Sequence, residues 1–223
     1  MKRRSLARFG LVVAAAVILS NPWPMYFDIL PDALGFFFLW LAFRRLAELV
    51  PAFDDVREAG NKLLLITTLR IPAWFAMMTI WGGDASQRAL IAVCCFVSAI
   101  LELCYLIPWI HRLFEAFYRL GEQYGCTSAI TVTGSRFRMA PEKLEVLTVV
   151  FFSVRAVLSC LPEMTLVPVY DSAEEYSWNW NRMYIPCAVI AAVVLLIFAA
   201  VWLCYFIAYV RRVGRDVEGC EEL

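Results

Sequence analysis

Residues 184–210 read YIPCAVIAAVVLLIFAAVWLCYFIAYV and lead directly into Arg211-Arg212. This run of 27 residues contains no charged side chain. Wound as a helix at about 1.5 Å per residue it measures about 40 Å, more than the roughly 30 Å hydrocarbon core of a bilayer. Related apolar runs occupy 9–20, 30–43, 63–81, 89–110 and 144–161. Of all 223 residues, 62% are hydrophobic and 18% charged, with a mean hydropathy of +0.68. Soluble domains run about 45–50% apolar and about 25% charged, and a chain this small could not bury the excess. The sequence therefore predicts an all-α, polytopic membrane helix bundle, one integral domain over 1–223.

The first two runs are short, and Asn21-Pro22-Trp23-Pro24 between them stops a continuous helix. They make either two spans joined by a tight outer turn or a re-entrant hairpin, and both return the chain to its starting side. Met1-Lys2-Arg3-Arg4 ahead of an apolar run resembles a signal peptide. The stretch Ile18–Pro22 lacks the small-residue pair of a cleavage site, so an uncleaved anchor is expected.

The 20 basic and 20 acidic residues cancel, which removes any net charge to attract nucleic acid. Sorted by side they do not cancel. Sixteen Lys and Arg fall at the N-terminus, in 44–62, in 111–143 and after 210, against Arg88 and Arg182 on the other side. That asymmetry predicts cytoplasmic N- and C-termini. The inner side carries about +4 and the outer side about −5, with Arg70, Arg155 and Glu102 inside apolar runs.

Ionisable residues within the membrane are costly, at least about 2.5–3.5 kcal/mol at a helix centre, and mark candidate sites. Counted from the nearest boundary charge, Arg70 lies about 12 Å deep and Glu102 about 13–14 Å, while Asp32 and Arg155 both lie about 18 Å deep. Depth thus sorts them into two pairs of opposite sign, Arg70 with Glu102 and Asp32 with Arg155. Structural pairing, a polar cavity for a solute, ion or proton, and snorkelling of Arg70 are the alternatives.

Asp28-Ile29-Leu30-Pro31-Asp32-Ala33-Leu34-Gly35 opens the second run. Asp28 is placed to cap a helix, Pro31 suits its first turn, and Gly35 permits close approach of a neighbour. Asp28 and Asp32, four apart, share a face, so a cation-binding carboxylate pair is the alternative to a plain helix start. Over Asp28–Lys62 the chain resembles uncharacterised bacterial multi-pass membrane proteins with an Asp-x-x-Pro-Asp-x-x-Gly signature. The resemblance implies a bacterial plasma membrane and carries no activity.

Between the spans, Leu113, Phe114, Phe117 and Leu120 line one helical face, which reads as a surface-lying amphipathic continuation of the fourth span within the linker 111–143. The outer loop 162–183 brings Asp171, Glu174 and Glu175 near Trp178 and Trp180. An interfacial aromatic belt explains the aromatics, and an acidic-aromatic lip for a cationic ligand is the sharper reading. A Lys followed by a span with a buried Arg occurs twice (Lys62 and Arg70, Lys143 and Arg155), a weak echo of internal duplication.

Eight cysteines form no disulfide framework or paired zinc spacing; only Cys160 and Cys187 approach the outer side, where a bridge could form at all. His111 is the sole histidine, and neither a Gly-x-Ser-x-Gly elbow nor a phosphate loop occurs. No catalytic residue, metal or cofactor is expected. The expected role is non-catalytic: an accessory, sensor or assembly component. A small transporter using Asp28, Asp32, Arg70, Glu102 and Arg155 is second, and a membrane-embedded enzyme third. Expected partners are the bilayer and another membrane protein or a second copy of the chain.

Overall fold

A computed structural model describes residues 2–20, 29–80, 85–124, 139–164 and 174–221. Among these the chain is all-α, with six helices and no strand: α1 (Lys2–Leu19), α2 (Ile29–Leu46), α3 (Ala52–Ile80), α4 (Ala85–Gln123), α5 (Pro141–Met164) and α6 (Glu174–Glu221). Over their described residues the six apolar runs each coincide with one helix, α1 stopping one residue short of Ser20. By length and composition one stretch, Val189–Val217 in α6, could cross a membrane, and only 22% of its most apolar window is buried inside the protein.

Local signals explain the boundaries. α2 has Asp32 in its first turn and Arg44 and Arg45 in its last, so charge complements the helix dipole at both ends. A tight turn follows, in which the Leu49 and Val50 amides donate to the Leu46 carbonyl. Pro51 and the acids Asp54 and Asp55 then start α3. Hydroxyls inside the apolar helices donate back to carbonyls one turn earlier, as Thr67 does to Leu63 and Thr148 to Leu144.

Each helix packs on the next in sequence, and α6 returns to α1, so the bundle closes into a ring with α4 touching α6 across it. Neighbours run antiparallel. Late α2 meets early α3 at the stacked Phe43 and Phe53 rings. Early α3 meets late α4, whose Trp109 indole donates to the Val56 carbonyl at 3.1 Å. Early α5 meets late α6 where Trp202 stacks on Phe151 at 4.8 Å and donates to Thr148. Aromatic rings fill the interior, with Phe117 edge-on to both Phe53 and Tyr209.

The surface divides in two. Among the described residues, large apolar side chains are exposed on every helix: Val17, Phe37, Leu65, Ile100, Val150 and Ile197 stand for 23 of them. Toward the end that holds both termini the exposed positions are charged instead, with Asp54, Asp55 and Glu58 on α3, Glu115, Arg119 and Glu122 on α4, and Arg211 and Arg215 on α6.

The basic stretch 44–62 is largely helical, because Phe53 and Val56 are buried against the core and draw α3 down to Ala52. Two linker expectations change. The apolar face of the stretch after Ile110 is covered by protein and not left open for a membrane surface. That stretch continues α4 unbroken, and Leu113, Phe114, Phe117 and Leu120 are all buried by protein. The outer loop shrinks: α5 runs to Met164 and α6 starts at Glu174. Residues 126–138 lie outside the described residues.

Candidate functional site

α1 ends at Leu19 and α2 begins at Ile29, and these two ends lie side by side. Gly35 makes the contact possible: a Cβ there would fall 2.7 Å from Leu19 Cγ. The last carbonyls of a helix have no partner within it. Here Arg155 of α5 supplies one, its Nη1 donating to the Leu19 carbonyl at 2.9 Å. Its Nη2 donates to both Asp32 oxygens, at 2.7 and 2.8 Å. In the ring α5 stands opposite α2, so the guanidinium reaches across the bundle and joins three helices. Asp32 is 3% exposed and Arg155 5%, so neither charge is left to water.

Opposite partial charges reinforce this arrangement. The C-terminal end of α1 is negative and faces the guanidinium; the N-terminal end of α2 is positive and holds the carboxylate. Charge-assisted bonds of this length are roughly twice as strong as neutral ones. Removing one partner of a buried pair typically costs about 3–5 kcal/mol, because the other is stranded.

The depth-sorted pair Asp32 with Arg155 thus forms. The two tiers of charge do not stay separate. His111 Nδ1 contacts Glu145 Oε1 at 2.7 Å, which fixes the register of α4 against α5. Counting nine residues back to Glu102 and ten forward to Arg155 puts both at one level, about 14–15 Å beyond that contact. On α3, Gly60 packs against Trp109, and ten residues further Arg70 comes within about one turn of the same level. The depths differed because the boundary charges are staggered. Lys62 stands nine residues beyond Phe53, which itself packs beside Phe43 next to Arg44, and its ammonium lies 5.6 Å over the Tyr105 ring.

Glu102 is buried, 7% exposed. The Arg70 side chain, its expected partner, lies outside what is described, as does Asp28 altogether. Of the outer lip, Asp171 lies outside the described residues, while Glu174, Glu175, Trp178 and Trp180 occupy the first turns of α6, with side chains outside what is described. The Cys160 and Cys187 side chains are likewise not among those described. Cys94, Cys104 and Cys204 are exposed free thiols. Among the described residues no three His, Cys, Asp or Glu side chains could hold a metal ion.

Two features escaped the sequence reading. The Leu19 carbonyl was one, and its signal was Pro22, which halts α1 and leaves its final carbonyls without helical partners. His111 with Glu145 was the other; the hydrogen bond to Glu145 and its charge raise the His111 pKa above the usual 6.5. No sequence rule pairs positions 34 apart on separate helices.

The chain matches no known family, no curated protein and no solved structure detectably.

Proposed function

We propose that this chain is a polytopic protein of the bacterial plasma membrane, with both termini cytoplasmic, and that it acts without catalysis as an accessory, sensor or assembly component. The band of exposed apolar side chains supports the membrane setting. Soluble monomers rarely expose contiguous apolar patches beyond a few hundred Å², whereas here all six helices contribute to a belt that ends where charges begin. The observation that carries the non-catalytic reading is the closure of Asp32 and Arg155 on each other and on a helix end. Such a lock positions helices.

Native thiols provide the test. A thiol facing hydrocarbon does not ionise and so does not react with a water-soluble maleimide. In a variant retaining only Cys94, Cys104 and Cys204, intact membrane vesicles should leave all three unlabelled until detergent is added. A cysteine replacing Glu122 should label only when the cytoplasmic face is accessible. Prompt labelling of the three native thiols in intact vesicles would sink the reading.

A second reading has one observation in its favour. Discontinuous helices whose ends meet at mid-depth build solute and ion sites in transporters, and the ends of α1 and α2 meet on the charged pair. Transport requires the pair to open, so a transported ion or solute should shift the thermal midpoint of wild type and not of Asp32→Asn. Screening salts and solutes by melting separates the two.

A further inference from the structure

The three helices α6, α1 and α2 are consecutive around the ring. Two close contacts set their mutual register: Gly35 against Leu19, and Gly214 against Phe9, where a Cβ on Gly214 would fall 3.0 Å from the Phe9 ring. Ten residues back along α1 from Leu19 and ten forward along α2 from Gly35 bring Phe9 level with Arg45. The α6 contact brings Gly214 to that same level. Arg44, Arg45, Arg211, Arg212 and Arg215 therefore lie within about one turn of one another in height, on the two helices that flank α1. α1 carries no acid at all, and the acids of this sector within about a turn of that level are Glu48, Asp216 and Glu218.

The opposite sector has the reverse balance. There α3, α4 and α5 carry seven acids, Asp54, Asp55, Glu58, Glu115, Glu122, Glu142 and Glu145, against five Lys and Arg, namely Arg57, Lys62, Arg112, Arg119 and Lys143. Arg57 and Arg119 are engaged with Asp54 and Glu115, and His111 with Glu145. On the basic side Arg44, Arg45 and Arg211 are exposed, and none of the three forms a salt bridge among the described residues. The rim is thus polarised laterally, a property that the count of inner charges by itself does not contain.

We propose that the α6–α1–α2 sector binds the phosphate groups of anionic phospholipids in the inner leaflet, so that the protein carries an acidic-lipid shell on one side only. The proposal rests on the membrane reading above. Guanidinium groups present paired donors that match phosphate oxygens. The site adjoins the exposed apolar band that would hold the acyl chains of the same lipid molecules, so headgroup and tails are recognised by continuous surface. A lipid, rather than a free phosphate ion, is the occupant that uses both.

The test uses the full-length protein in bilayers of phosphatidylcholine mixed with phosphatidylglycerol. Tryptophan quenching by dibrominated forms of each lipid reads their relative binding. Wild type should prefer phosphatidylglycerol, and the preference should fall as salt is raised. Arg44→Gln, Arg45→Gln, Arg211→Gln and Arg215→Gln should each lower it by up to about fivefold. The matched set Arg57→Gln, Arg112→Gln, Arg119→Gln and Lys143→Gln should leave it unchanged. Equal loss in both sets overturns the sector assignment, and absence of any preference overturns the lipid site. Displacement by inorganic phosphate at constant ionic strength would make it a phosphate site instead. Failure of the chain to enter the bilayer overturns the membrane reading along with this one; no preference in a chain that has entered overturns this one alone.

Discussion

The part of the bundle girdled by apolar side chains and the charged end beyond it share one interior and differ in surface. Phe151 and Trp202 in the first are packed as tightly as Phe53 and Phe117 in the second. Outside, Val150 and Ile197 in the one give way to Asp54 and Glu115 in the other. The shared core makes one bundle of the chain, and only the surface distinguishes its two parts. Polar chemistry follows the same division. Within the girdle Asp32 and Arg155 are buried on one another, while Asp54 with Arg57 and Glu115 with Arg119 lie open to solvent at the charged end.

The largest effect should come from unbalancing the buried pair. Arg155→Leu or Asp32→Leu alone should cost about 3–5 kcal/mol by stranding the partner. The double change should recover much of that, though not all, since the Leu19 carbonyl loses its donor. Thermal unfolding in detergent checks this, and a double variant no better than the singles would break the comparison at its centre. Next in size, Ile100→Arg or Val193→Arg in the girdle should cost about 2.5–3.5 kcal/mol on insertion. Tyr118→Arg at the charged end should stay within about 0.5 kcal/mol. The fraction of chain retained in membranes after alkaline extraction measures the contrast.

Gly35→Ala should cost about 1–3 kcal/mol, because a Cβ 2.7 Å from Leu19 Cγ pushes α1 from α2. The smallest effects belong to the charged end. Arg119→Ala should cost about 0–1 kcal/mol, as exposed pairs do. His111 with Glu145 should add a mild pH dependence. Its folded-state pKa is raised, so its stabilising contribution is complete below pH 6.5 and is lost as pH rises through the higher folded value. Melting curves of wild type and His111→Gln should converge toward alkaline pH; a difference that grows there would reverse the sign.

Much of this was legible from residues alone because helices convert sequence number into height. Asp32 and Arg155, each twelve residues from a boundary charge, were placed together on that basis. Gly35 at the start of α2 was readable as a point of close approach for the same reason. Counting alone gives Glu102 and Arg70 a tier of their own, because the boundary charges from which depth is counted stand at different heights in the folded bundle. The amphipathic end of α4 shows the complementary limit. Its apolar face was plain in Leu113, Phe114, Phe117 and Leu120, but whether lipid or protein covers that face depends on which helices stand beside it.

Hydrophobic patterning and charge asymmetry along the chain determined the helical class, the six segments and the expected orientation, since each is a property of distance along one axis. Only the tertiary structure decided what happens around that axis: the closure of α6 on α1, the reach of Arg155 across the ring to an unpaired carbonyl, and the gathering of basic residues on one sector. The physical reason is that height follows from counting residues, whereas the azimuth of a helix is set by packing against neighbours that may be distant in sequence.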